Sequence, residues 1–380
     1  MIKKMKVLTY SKAALAFVLL LCAITAQANS GFPIAKKEFT KKIEKTYNIS
    51  SDGTVDLNNR YGQVTVKSWD KNKVEIEVMI KVNSKNEESA RETFERINIE
   101  FTNSSDYVGV ATHIESKSSS SWVNWLGGNS SDDYSISYLV HMPSSNNITL
   151  ANKYGNSTVE SIEGNANMTI KYGNIDMENI GGDLNFNLGY GNATMGSCGD
   201  ADVTIKYSNL KMNTAKSMRL ETKYSKVKIE EATNIRSESK YDTYTLGRIQ
   251  SLSNEGKYDH FNIERLEELE IETKYTDVDV DELTRSADVS MSHGGLRVRT
   301  LAPKFKNVRL EGKYTDFKIG AAGDFQLDAR AEYGGIHYPD RMEVMIDKEH
   351  SSDHEIEGYA GSKSAGMIKA RLEYGSLKVH

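Results

Sequence analysis

Lys223-Tyr224-Ser225, Lys240-Tyr241-Asp242, Lys257-Tyr258-Asp259 and Lys274-Tyr275-Thr276 follow one another at a constant interval, the tyrosine numbers rising by 17 each time. Upstream, the tripeptide recurs as Lys153-Tyr154-Gly155, Lys171-Tyr172-Gly173, Gly189-Tyr190-Gly191 and Lys206-Tyr207-Ser208, with tyrosines spaced by 18, 18 and 17. Downstream the interval loosens. His293 stands where a tyrosine is due, and Tyr314, Tyr333 and Tyr374 follow at longer, unequal intervals. A short fixed period over more than half of a 380-residue chain is the signature of a repeat architecture.

Counted from each tyrosine, positions +3 and +5 are apolar almost throughout, as in Val227/Ile229, Phe261/Ile263 and Val278/Val280. Position +8 is apolar too, as in Ala232, Ile249 and Leu266. Spacing by two is strand periodicity, because successive side chains leave opposite faces of an extended backbone. Gly, Asn, Asp and Ser lie between, residues suited to turns. One such unit cannot bury its apolar side alone, so it must stack on its neighbours. The expected fold is all-β: a right-handed parallel β-solenoid of about a dozen 17–18-residue rungs, roughly 4.8 Å apart. Tyr154, Tyr172, Tyr190, Tyr207, Tyr224, Tyr241, Tyr258, Tyr275, Tyr314 and Tyr333 are expected to pile up as a structural stack in a dry interior column. An antiparallel meander is the structural alternative. The solenoid is preferred because like residues recur at like positions, which in-register stacking rewards.

The outward positions carry charge. Position −1 is usually Lys, and position −3 becomes Glu in the later repeats: Glu221/Lys223, Glu238/Lys240, Glu255/Lys257, Glu272/Lys274 and Glu311/Lys313. Stacking sets a lysine column beside a glutamate column. Exposed pairs are individually worth about 0–1 kcal/mol, so these columns read as a solvated face.

With 38% hydrophobic and 27% charged residues, the chain can build a core and more than one domain. Residues 1–28 read as a secretory signal: lysines precede the apolar run Ala13–Ile24, which ends at Ala26-Gln27-Ala28. Lipidation at Cys22 is the alternative, disfavoured by Leu21 just before it. Cleavage removes Lys3, Lys4, Lys6 and Lys12 and no acid, taking the net charge from −5 to −9. Such a balance argues against nucleic acid as a partner. Cys198 is then the one remaining cysteine, an apolar +8 residue with no disulfide partner.

Residues 29–145 read as a β-rich capping domain with one helix, opened by a capping box at Ser84-x-x-Glu87. Within it, Arg60-Tyr61-Gly62-Gln63-Val64-Thr65-Val66 carries the repeat pattern in advance. Trp122 and Trp125 sit among Ser, Asn and Gly, and form the binding candidate: an aromatic tip for a sugar, partner or membrane surface, or else two indoles folded back into the core. Residues 146–338 hold the solenoid repeats, and 339–380 an interrupted repeat and closing rung, with Ala370–Val379 resuming the pattern. His337, His350, Asp353 and His354 lie near or within the interruption. The His350-x-x-x-His354 spacing pairs ligands on a helix rather than a strand, so no metal is expected.

The Arg60-Tyr61-Gly62-x-Val64-x-Val66-x-x-Trp69 segment, the Lys-Tyr-Gly-Asn rungs and Glu373-Tyr374-Gly375-Ser376-Leu377 together resemble the "putative adhesin" family of exported bacterial β-solenoids. That family is also known as a domain of unknown function, and it is similar to the head domains called GIN. The resemblance covers most of the chain after residue 28. It implies a β-solenoid and no catalytic residues, and function must still be argued from a site. The expectation is a non-enzymatic, exported envelope protein, adhesin-like or scaffolding. It needs no cofactor, binds an unknown protein or glycan, and resides in the periplasm or at the cell surface. A periplasmic partner of an envelope sensor is one alternative. A carbohydrate-active enzyme is the other, for which Asp277, Asp279 and Asp281 offer outward acids with no outward Arg or His close by in the sequence.

Overall fold

The repeat interval is the distance along the chain between parallel neighbours in the computed structural model, which describes residues 36–115 and 133–380. Strand Asn209–Lys223 lies parallel to Lys226–Lys240, with Leu210 opposite Val227 and Lys223 opposite Lys240. Lys226–Lys240 repeats the relation with Thr243–Lys257, and that strand with the run beginning at His260. These pairings are parallel, which excludes the meander for the repeat region. The chain is nearly all β, with one helix among the described residues. The expected signal segment, Trp122 and Trp125 lie outside those residues.

Alternation along each strand sorts the side chains. In Asn209–Lys223, Leu210, Met212, Met218 and Leu220 are buried, while Lys211, Arg219 and Glu221 face out. Stacked in register, the inward residues form one apolar core from Ile49 to Val379. Tyr244 over Phe261, with ring centroids 4.6 Å apart, is an aromatic stack inside it. Each fully buried aliphatic or aromatic side chain contributes about 1.5–3 kcal/mol, which an isolated repeat unit could not collect.

Residues 54–69 act as a rung of the repeat. Thr54–Arg60 lies between Tyr107–Ile114 and Asn147–Lys153, parallel to both. Val64–Trp69 lies between Asp133–Pro143 and Ser157–Val159, again parallel to both. Antiparallel strands then cover this end: Lys73–Ser84 on Asp133–Pro143, Lys37–Asn48 on Lys73–Ser84, and Ile97–Asn103 on Tyr107–Ile114. The outermost strand carries Lys37, Lys41, Lys42 and Lys45, charges that discourage edge-to-edge pairing. Helix Glu87–Arg96 starts later than the capping box implied. Asn86 is its cap, with Oδ1 accepting from the Ser89 N–H at 2.9 Å, and Ser84 belongs to the preceding strand.

The other end departs from chain order. Met367–Glu373 pairs with Asn307–Ala321 on one side and Phe325–Glu332 on the other, parallel to both. Ser376–Val379 likewise lies between Phe317–Ile319 and Gly335–His337. The returning segment is therefore an inserted rung and not the closing one. Closure falls to the interrupting residues, where Asp353–Ala360 runs antiparallel on Phe325–Glu332 and Glu343–His350 antiparallel on that. An antiparallel hairpin can end a parallel stack because it turns back over the last edge.

Candidate functional surface: an exterior tyrosine ladder

Each tyrosine of the repeat sits at the corner between two strands with φ near +52 to +62°, and His293, at +58°, does the same. This left-handed conformation is uncommon for a bulky residue and costs about 1–2 kcal/mol. At such a corner the side chain leaves on the outer surface. The rings are consequently 40% (Tyr241) to 56% (Tyr333) exposed. The dry interior column expected for them is therefore wrong: the stack exists, but outside, and Leu210, Val227, Tyr244 and Phe261 fill the interior instead.

From Tyr61 the rings run through Tyr154, Tyr172, Tyr190, Tyr207, Tyr224, Tyr241, Tyr258 and Tyr275 to His293, with centroids 4.6–5.2 Å apart and planes within 15° of parallel. Beyond His293 come Tyr314, Tyr374 and then Tyr333, because the inserted rung brings Tyr374 between the other two. Stacking at about 0.5–1.5 kcal/mol per pair offsets the backbone strain. The ammonium of Lys153 stands 4.7 Å from the Tyr154 ring centre, and those of Lys223 and Lys240 stand 5.6 and 5.3 Å from Tyr224 and Tyr241. Partial burial of the Tyr241 hydroxyl, with Tyr258 and Tyr224 beside it, raises its pKa above the usual phenol value.

Behind the ladder, the residue after each tyrosine comes in two versions. In the early rungs it is Gly62, Gly155, Gly173 or Gly191. A Cβ on Gly173 would lie 2.0 Å from the carbonyl oxygen of Gly155, so that rung needs glycine. From Tyr207 to Tyr275 it is Ser208, Ser225, Asp242, Asp259 or Thr276, all buried. These form a hydrogen-bond relay. Gly191 N–H donates to Ser208 Oγ (3.1 Å), Ser208 N–H to Ser225 Oγ (3.3 Å) and Ser225 N–H to Asp242 Oδ1 (2.6 Å). Asp242 N–H then donates to Asp259 Oδ1 (2.8 Å) and Asp259 N–H to Thr276 Oγ1 (3.3 Å). Thr222 and Ser239 hydroxyls donate to the second oxygens of Asp242 and Asp259. Burial outweighs these donors and pushes the Asp259 carboxyl up to about 6, and Asp242 upward as well. The sequence reading took these residues for turn formers. The legible signal was the switch from Gly to side chains that can all accept a hydrogen bond.

Glu221, Glu238, Glu255 and Glu272 lie opposite one another on successive rungs, with the lysines two positions on. Asp279 and Asp281 are paired at 3.2 Å with Arg297 and Arg299 of the next rung, so the outward arginine that sequence proximity missed is supplied by stacking. His354 bonds Asp347 at 3.3 Å and Asp353 bonds Arg330 at 2.9 Å. No group of three metal-ligating side chains comes together among the described residues. An open groove of about 620 Å³ is lined by charged side chains including Arg219, Arg236, Glu238 and Glu270.

No protein-family model and no curated protein matches this chain. It is similar to several solved structures. A "putative adhesin" from Parabacteroides merdae has 8% identity over 69% of this chain and 94% of that one, TM-score 0.30. A "putative adhesin" from Bacteroides fragilis has 14% identity over 74% and 97%, TM-score 0.30. A "putative lipid binding protein" from Parabacteroides distasonis has 9% identity over 90% and 97%, TM-score 0.24. Likenesses this loose carry no argument about activity. No described helix is long and apolar enough to cross a membrane.

Proposed function

We propose that this chain is an exported, non-enzymatic protein of the bacterial cell envelope, adhesin-like or scaffolding, whose repeats wind as a right-handed parallel β-solenoid. Its task on this reading is display. The supporting observation is the exterior stack of rings, tyrosine throughout except at His293, with a lysine just before most of them at a spacing of about one rung. Elsewhere on the repeat surface Arg265, Arg297 and Arg299 pair across rungs with Glu282, Asp279 and Asp281.

The ladder limits how a partner is held. Ring faces press on one another, so sugar rings cannot stack on them. What a partner meets is a row of ring edges, phenol hydroxyls and ammonium groups, suited to an extended chain bearing acceptors or anionic groups. At Tyr154 and Tyr172 the lysines Lys153 and Lys171 have no glutamate column beside them, only Ala151 and Thr169, whereas Lys206 pairs with Glu221 of the next rung at 3.0 Å. The test is binding of the protein lacking residues 1–28 to a glycan array and to envelope extract, beside a variant with Lys153 and Lys171 changed to alanine. Weakened binding supports display through the ladder. Unchanged binding, or turnover of a sugar polymer, refutes it. Protease treatment of intact cells separates surface from periplasmic placement.

A further inference from the structure

We propose that the ladder is a site of oxidative modification, at which neighbouring tyrosines are joined to dityrosine within one chain by a haem peroxidase and peroxide. Three observations carry this. Adjacent phenols are held side by side, closest at Tyr241 and Tyr258, where centroids are 4.6 Å apart and planes 5° from parallel. Both rings are exposed at 40–41%, so an oxidant reaches their edges. Their backbones are pinned in register, Lys240 opposite Lys257 and Thr243 opposite His260, so the rings cannot drift apart.

The chemistry balances as follows. The oxidised peroxidase removes one electron and one proton from each of two phenols. The two phenoxyl radicals form one carbon–carbon bond between their ortho carbons. Each ring then regains aromaticity by moving its ortho hydrogen to oxygen, and the peroxide is reduced to two waters. A neighbour held at contact distance acts at an effective concentration far above that of any second molecule, so coupling within the chain outruns coupling between chains. His293 is a built-in gap: its imidazole separates Tyr275 from Tyr314 at 4.7 and 4.8 Å, and no link forms there. Tyr244 is buried against Phe261 and stays unmodified. Cys198 is the free cysteine among the described residues, so such links would be the covalent ties between rungs.

The experiment treats the protein with horseradish peroxidase and hydrogen peroxide, followed by trypsin. The expected product is a monomer with dityrosine fluorescence that yields peptide Tyr241–Arg248 joined to Tyr258–Arg265, lighter by two hydrogens than the separate peptides. Its yield per chain stays constant on about tenfold dilution, as an intramolecular reaction requires. His293→Tyr closes the gap and adds peptides linked through position 293. Links whose yield falls in proportion to dilution, or tyrosines that are oxidised without being joined, overturn the proposal. So does a Tyr275–Tyr314 link in the native chain, since it would show that ring contact does not govern coupling.

Discussion

Asp259 makes stability depend on pH in a direction opposite to that of an ordinary ion-paired carboxylate. The residue is 5% exposed in the relay behind the ladder, and burial raises its carboxyl from 3.8 to about 6. The folded state therefore holds the proton more tightly than the unfolded chain. The resulting stability is fully present below about pH 4 and is lost as pH rises through about 6. The distance from 3.8 to about 6 corresponds to about 3 kcal/mol. Asp242 is raised for the same reason and acts in the same direction. Asp259→Ser isolates the effect, because Ser225 fills the same corner and accepts from the Ser208 N–H at 3.3 Å. That variant keeps an acceptor for the Asp242 N–H and abandons Ser239 Oγ, a loss that does not vary with pH. The assay is urea unfolding of both proteins from pH 4 to 7.5, followed by circular dichroism. The difference, variant minus wild type, should move by about 3 kcal/mol in favour of the variant as pH rises from about 4 to about 6, and level off above that. A difference that stays flat, or moves the other way, refutes the reasoning.

Three further outcomes follow from the same geometry. Gly173→Ala drives a Cβ to 2.0 Å from the Gly155 carbonyl and should cost about 2–4 kcal/mol, whereas Gly189→Ala, whose nearest atom is 3.9 Å away, should be neutral or gain about 0.5 kcal/mol; thermal melts of both decide. At Tyr241, φ +60°, Tyr241→Asn and Tyr241→Ile both lose two ring stacks, but isoleucine keeps the full backbone strain and should be the less stable by about 1 kcal/mol in the same melts. Asn86→Ala removes the acceptor for Ser89 N–H and should lower stability by about 1 kcal/mol by denaturant titration, with faster amide exchange confined to the helix.

The strand periodicity, the inward columns at +3 and +5 and the outward lysines were legible because each follows from a side chain alternating along an extended backbone. The tyrosines were misplaced because apolar recurrence says that a residue is stacked but not on which side of the sheet. What sends Tyr241 outward is the sign of φ, which composition does not carry. The glycine after Tyr154, Tyr172 and Tyr190 was the nearest clue to an unusual corner. Asp242 and Asp259 were read as turn formers because aspartate favours turns. Their burial depends on neighbours one full repeat away offering N–H groups, a relation visible only once register is known. The long gap between Tyr333 and Tyr374 announced an interruption. It could not announce that the segment after it returns to an earlier level, since adjacency in sequence usually means adjacency in space.

That return has a consequence for assembly. From Ala166 to Ala321 each rung rests on the one before it, so that array can grow from any seed toward either side. Residues 367–379 instead behave as a keystone: they have two flanks to grip, Asn307–Ala321 and the stretch from Phe325 to His337, and they lie between the two. This end is thus bound to form all at once, and a chain damaged anywhere between 307 and 379 would lose the whole terminus while leaving the shaft standing.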